Sequence, residues 1–167
     1  MKVKDLVLIS ILSSLIAVLE FALAFIPNVQ ATFLLLILIC NKFNFKKSLV
    51  LILVYVLIDN LLMSSLNPIF MIFQYIALLP IPVLLKLFKT SNVNKLSLIS
   101  IPISFLYCFI LIIPAVLITK VDLKVYILAD IPFELILVFV NILMIEILYN
   151  PLDKVLTTLL NNYYKNS

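Results

Sequence analysis

Five acids stand in or beside long apolar runs: Glu20, Asp59, Asp130, Glu134 and Glu146. An ionisable group at bilayer depth costs roughly 2.5–3.5 kcal/mol on insertion scales. Each therefore needs a donor, water, a proton or a counter-charge. Asp130 and Glu134 fall four apart in Ala129-Asp130-Ile131-Pro132-Phe133-Glu134, so a helix there puts them on one face. At a helical rise of about 1.5 Å per residue, Glu20 lies about 21 Å and Asp59 about 16 Å from the inner ends of their spans. By the same measure Asp130 and Glu134 lie about 8 and 14 Å below the outer surface. Four acids on three helices thus reach the outer half of the membrane, and Asn60, Gln30, Gln74 and Tyr107 reach similar depths. The chemistry this suits is an outward-facing polar pocket for an amine, a cation or a donor-rich ring. A structural alternative stands beside it. Asp130 would cap a helix beginning near Pro132, and Glu20 and Asp59 would be protonated or bonded to facing backbone. Glu146 belongs near the inner surface.

The elements that must place these groups are membrane spans. The chain has 167 residues, 65% of them hydrophobic, with a mean hydropathy of +1.30. No soluble core of this size needs so much apolar residue. Six apolar runs follow in order: Leu6–Ile26, Val29–Cys40, Ser48–Met63, Ile69–Leu85, Leu96–Ile118 and Val125–Tyr149. The second and third are short for a bilayer that takes about 20 residues per span. To reach full length the second would draw on Pro27 or on Phe43–Phe45. Outer connections are short: Pro27–Gln30, Ser64–Pro68 and Thr119–Lys124.

All twelve basic residues are lysines, and the formal net charge is +4. With the N-terminus in the cytoplasm, Lys2, Lys4, Lys42, Lys46, Lys47, Lys86, Lys89, Lys95, Lys154 and Lys165 lie inside, and only Lys120 and Lys124 outside. That bias obeys the positive-inside rule and favours an even number of spans. It also accounts for the basic charge without a nucleic-acid partner. The expected architecture is all-α: a six-helix transmembrane bundle over residues 1–150 with both termini cytoplasmic. A short amphipathic tail, 151–167, carries Val155, Leu156, Leu159 and Leu160 on one face and lies on the inner surface. Tyr149, Tyr163 and Tyr164 read as interface anchors. Leu6–Ile26 is too long for a signal-peptide core and lacks a small-residue cleavage site, so no cleavable leader is expected.

Histidine is absent, which removes zinc hydrolase and Ser-His-Asp chemistry from consideration. Cys40 and Cys108 form no paired motif, and neither a metal site nor a cofactor is expected. There is no P-loop. Glycine, arginine and tryptophan are absent too, where average usage would give roughly a dozen glycines. Close helix approach then falls to Ser and Ala, and turns to Asn, Ser and Pro. Ser10/Ser14 and Ser13/Ala17 are small-xxx-small pairs on the first span, suited to another helix of this chain or of a partner.

The layout resembles the substrate-binding S components of energy-coupling factor transporters: similar length, six spans and both ends inside. Lys4–Ala17 resembles their first helix, which contacts a transmembrane coupling subunit; here Ser10, Ser13, Ser14 and Ala17 would make that contact. Ile26-Pro27-Asn28-Val29-Gln30, Ile58-Asp59-Asn60-Leu61 and Ala129–Glu134 followed by Tyr149-Asn150-Pro151-Leu152 resemble further segments. The resemblance implies a bacterial plasma-membrane subunit that binds a vitamin or similar micronutrient with Glu20, Asp59, Asp130, Glu134, Asn60, Gln30, Gln74 and Tyr107. It would not itself be an enzyme, because two partner ATPase subunits would hydrolyse ATP. The competing expectation is a structural cell-shape membrane protein of the MreD type, whose acids would be packing or assembly contacts. A pocket requires Glu20, Asp59, Asp130 and Glu134 to face one cavity; separate interfaces favour the structural reading.

Overall fold

A computed structural model describes residues 1–26, 29–63 and 66–165. Among them the chain is all-helical, in seven segments: α1 Val3–Leu23, α2 Thr32–Lys42, α3 Phe45–Leu62, α4 Pro68–Leu78, α5 Pro80–Phe88, α6 Val93–Thr119 and α7 Leu123–Lys165. α4 and α5 form one bent rod. Leu79 between them keeps helical dihedrals (φ −58°, ψ −32°), while Pro80 and Pro82 supply no N–H to the ladder. Six rods result, and four are long and apolar enough to cross a membrane: α1, α4–α5, α6 and α7. The end of the first span at Pro27-Asn28, and Ser64-Ser65 of the second outer connection, lie outside the described residues.

α2 departs from the expected second span. It has 11 residues, about 16 Å of helix, and Phe43 after it is extended rather than helical. Every residue from Thr32 to Cys40 is buried. A helix apolar on all sides belongs in an interior, and α2 is the centre on which α1, α3, α5 and α7 pack.

α1 and α3 climb side by side in the same direction. Lys47 pairs with Asp5 at 2.7 Å near their starts, and Ser13 Oγ donates to the Leu51 carbonyl at 3.0 Å higher up. Ser13 and Ala17 are fully buried against this neighbour, whereas Ser10 is exposed and Ser14 half-buried. Of the two small-residue pairs, Ser13/Ala17 thus serves a helix of this chain. α6 and α7 are antiparallel: Ser97 meets Glu146 at 3.4 Å and Ser104 meets Asn141 at 2.9 Å. Ser97, Ser100 and Ser104 are buried along α6, the small residues that let two backbones approach without glycine.

Both ends of the chain meet at one end of the bundle. Tyr163 OH donates to the Lys4 carbonyl and Tyr164 OH to Asp5, each at 2.9 Å. Lys42 pairs with Asp153 at 2.7 Å there. Asn41 Nδ2 donates to Tyr149 OH at 2.8 Å and to the Thr90 carbonyl at 3.1 Å. Tyr149 is 1% exposed, so it is an interior strut and not an interface anchor.

α7 runs unbroken for 43 residues through Pro132 and Pro151, about 64 Å. The sixth span and the tail are therefore one helix. The tail's expected apolar face divides: Leu156 is buried and Leu160 packs on the core, while Val155 and Leu159 are exposed.

Caps compensate for the missing glycine. Asn44, Asn67 and Asn92 side chains accept from the first turns of α3, α4 and α6. Lys89 and Lys120 end α5 and α6 at φ 44° and 56°, the left-handed position glycine usually fills. A Ser13→Leu variant should lose about 1–3 kcal/mol of stability by overpacking the α1–α3 contact. Ser10→Leu should be neutral; thermal unfolding in detergent checks both.

Candidate functional site

The polar groups predicted for the outer half separate into two sets. The first is a pair of adjoining buried hydrogen-bonded clusters that together draw on five helices. Glu20, near the end of α1, is 9% exposed. Its Oε2 accepts from Thr32 Oγ1, the first residue of α2, at 2.5 Å, and from the Tyr55 hydroxyl of α3. One turn beyond Tyr55, Asp59 accepts at Oδ2 from Gln74 Nε2 of α4 at 2.9 Å. Gln74 Oε1 in turn accepts from Asn60 Nδ2 at 2.6 Å, which also donates to the Val56 carbonyl at 2.8 Å. Tyr107 of α6 comes within reach of Gln74 and sets its ring edge-on to Phe33, centroids 5.1 Å apart.

The sequence puts these groups together for local reasons. Tyr55 and Asp59 are four apart, so α3 presents them on one face. Thr32 can reach Glu20 because α2 starts beside the end of α1. Asn60 and Gln74 flank the α3–α4 connection and turn inward on facing helices. The network lies at the end of the bundle opposite the paired termini.

One acceptor in it is unused: Asp59 Oδ1 is buried and has no hydrogen-bond partner. A buried acceptor left unpaired costs on the order of 1–3 kcal/mol. Close by, a cavity of about 190 Å³ is lined by Glu20, Gln30, Leu23, Ala24, Ile26, Val29 and Met63. Met63 is one turn past Asp59, and its N–H donates to the Asp59 carbonyl at 2.9 Å. The network thus reaches the cavity through the Glu20 side chain and adjoins it through the end of α3.

Asp130 and Glu134 form the second set. They lie one turn apart on α7, Asp130 half-buried and Glu134 buried, and both are near Cys108 of α6. Neither has a hydrogen-bond partner among the described residues. Tyr107 and Cys108 are consecutive and point about 100° apart on the helix, so α6 stands between the sets. Asp59, Asp130 and Glu134 do not line the cavity that Glu20 and Gln30 share. Asp130 does not cap a helix at Pro132, because α7 starts at Leu123. There Asp122 Oδ1 accepts from the Lys124 and Val125 amides at 2.9 and 3.3 Å.

Thr32 and Tyr55, the two donors that hold Glu20, were not among the residues picked out by sequence. Tyr55 carried a usable signal in its i, i+4 relation to Asp59. Thr32 carried none, because its contact depends on how α2 enters. Glu146 lies by Ser97, toward the lysine-bearing end, as its depth implied.

Removing a donor from Glu20 should be costly. Tyr55→Phe and Thr32→Val should each lower stability by about 1–3 kcal/mol, whereas Glu134→Gln, which breaks no internal bond, should change it by less than about 0.5 kcal/mol. Equilibrium unfolding in mixed micelles measures the difference. No family model, curated protein or solved structure matches this chain.

Proposed function

We propose that this chain is a membrane-embedded binding subunit, of the kind that serves energy-coupling factor importers, with its ligand seat at the Glu20–Asp59 network. The ligand would be a vitamin or similar micronutrient that presents a hydrogen-bond donor or positive charge. It would enter from the end opposite the lysines, which the positive-inside rule puts outside the cell. The subunit would then dock on a transmembrane coupling protein driven by two ATPase subunits. Six rods, ends that meet, and a polar cluster at the far end all support this reading.

The observation that carries it is the unpaired Asp59 Oδ1. Its sister oxygen, Oδ2, has a partner supplied by the chain, Gln74 Nε2. An arriving donor would satisfy the one that does not. Within this reading Glu20, Asp59, Asn60, Gln74, Gln30 and Tyr107 make up the seat. Asp130 and Glu134, across α6, would meet a ligand only if that helix moved. Ser10, exposed on α1, and the half-buried Ser14 remain for a partner helix.

A structural role is the second reading, and a specific observation favours it. Glu20 already holds two internal donors, and the four acids fall at two separate interfaces. That is how packing contacts would be distributed.

Extraction in mild detergent followed by mass spectrometry separates the two. The wild-type chain should retain a small molecule, together with a coupling subunit and ATPases. Asp59→Asn should fold and lose at least about tenfold in retained ligand, the loss of one charge-assisted hydrogen bond. Recovery of cell-shape proteins with no small molecule would establish the structural role instead.

A further inference from the structure

At the end of the bundle where the termini meet, two adjoining cavities of about 680 and 760 Å³ share Asn44 and Lys46. Lysines 2, 4, 46 and 47 line the larger, and lysines 46, 86 and 89 the smaller. The one carboxylate in their walls among the described residues, Asp5, is already engaged by Lys47 at 2.7 Å and by Tyr164 at 2.9 Å. The Lys2 backbone N–H donates to Asp5 Oδ2 at 3.2 Å, but the side-chain ammonium groups of Lys2, Lys46, Lys86 and Lys89 have no carboxylate partner among the described residues. Lys86 is steadied over the Phe45 ring, 5.1 Å from its centroid.

We propose that this double cavity binds the phosphate headgroup of an anionic phospholipid. Like charges crowded around a concave site repel one another, and an anion between them relieves that repulsion. Basic pockets at the ends of membrane helices suit acidic headgroups. The walls favour a lipid over a free phosphate. Val3 and Val7 on α1 are 76% and 47% exposed, and Leu87 and Phe88 on α5 are 70% and 57% exposed. A headgroup seated among the lysines would lay its acyl chains along those two apolar faces, so both parts of the molecule bind at once. Through Lys46 the lipid would join α3 to α5, and through Lys2 and Lys4 it would join α3 to α1.

The test is thermal unfolding of the full chain in a neutral detergent, with phosphatidylglycerol, phosphatidylcholine or inorganic phosphate added. Phosphatidylglycerol should raise Tm by about 3 °C or more, and phosphatidylcholine should not. Lys46→Gln, an exposed side chain common to both cavities, should remove most of that shift. Lys124→Gln at the opposite end should retain it. An equal response to both lipids, equal protection by inorganic phosphate, or an undiminished shift in Lys46→Gln would each overturn the assignment. Should the Lys46 variant fail to fold, native mass spectrometry of the unaltered chain decides. Retained phosphatidylglycerol in preference to phosphatidylcholine supports the site, and no preference overturns it.

Discussion

The carboxylate of Glu20 has to be satisfied inside an apolar bundle, and much of the far end of the molecule is arranged to do it. Apart from the small cavity beside it the surroundings are apolar, and an unpaired charge there costs several kcal/mol. Two donors come from two different helices, Thr32 of α2 and Tyr55 of α3. Tyr55 brings Asp59 one turn behind it. Asp59 then requires Gln74 of α4, and Gln74 requires Asn60. Two buried acids, Glu20 on α1 and Asp59 on α3, thereby join four rods. Hydrogen bonds of this kind are directional, which dispersion contacts between leucines are not. They select one register among the many that an apolar surface permits.

A chain without glycine or arginine must make its other joints from few parts. Serines 13, 97, 100 and 104 occupy the close helix contacts. Asparagines start three of the helices, and lysines end two in the left-handed region. Tyrosine supplies the long reach: Tyr55 into the network, Tyr149 to Asn41, and Tyr163 and Tyr164 from the last helix to the first. The two ends of the bundle thus differ in kind. One is closed by ion pairs and tyrosine hydroxyls beneath a lysine-rich surface. The other is closed by a carboxylate–amide network beside a small cavity.

Depth was legible in the sequence, because it follows from counting residues along a helix. Glu20, Asp59, Asn60 and Gln74 were placed at one level by that count, and they do meet. Azimuth was not legible. Asp130 and Glu134 share the level but face Cys108 rather than Tyr107, and nothing in the spacing of one helix shows how its neighbours are turned. The place of α2 was half legible: its shortness was plain, but an all-apolar run of that length reads alike as a weak span or a buried axis. The break expected at Asn150-Pro151 did not occur. Proline lacks only its own N–H and is tolerated where neighbouring packing holds the helix, as Tyr149, Leu152 and Leu156 hold α7.

Asp59 Oδ1 is a buried acceptor that no protein group satisfies, and on our proposal it belongs to a ligand. A crystal structure of the chain purified gently, with its small molecules retained, tests this most directly. The account predicts a non-protein atom within hydrogen-bond distance of Asp59 Oδ1, adjoining the cavity lined by Glu20 and Gln30. A protein donor on that oxygen, with the cavity closed, would contradict it and leave the network a purely structural joint.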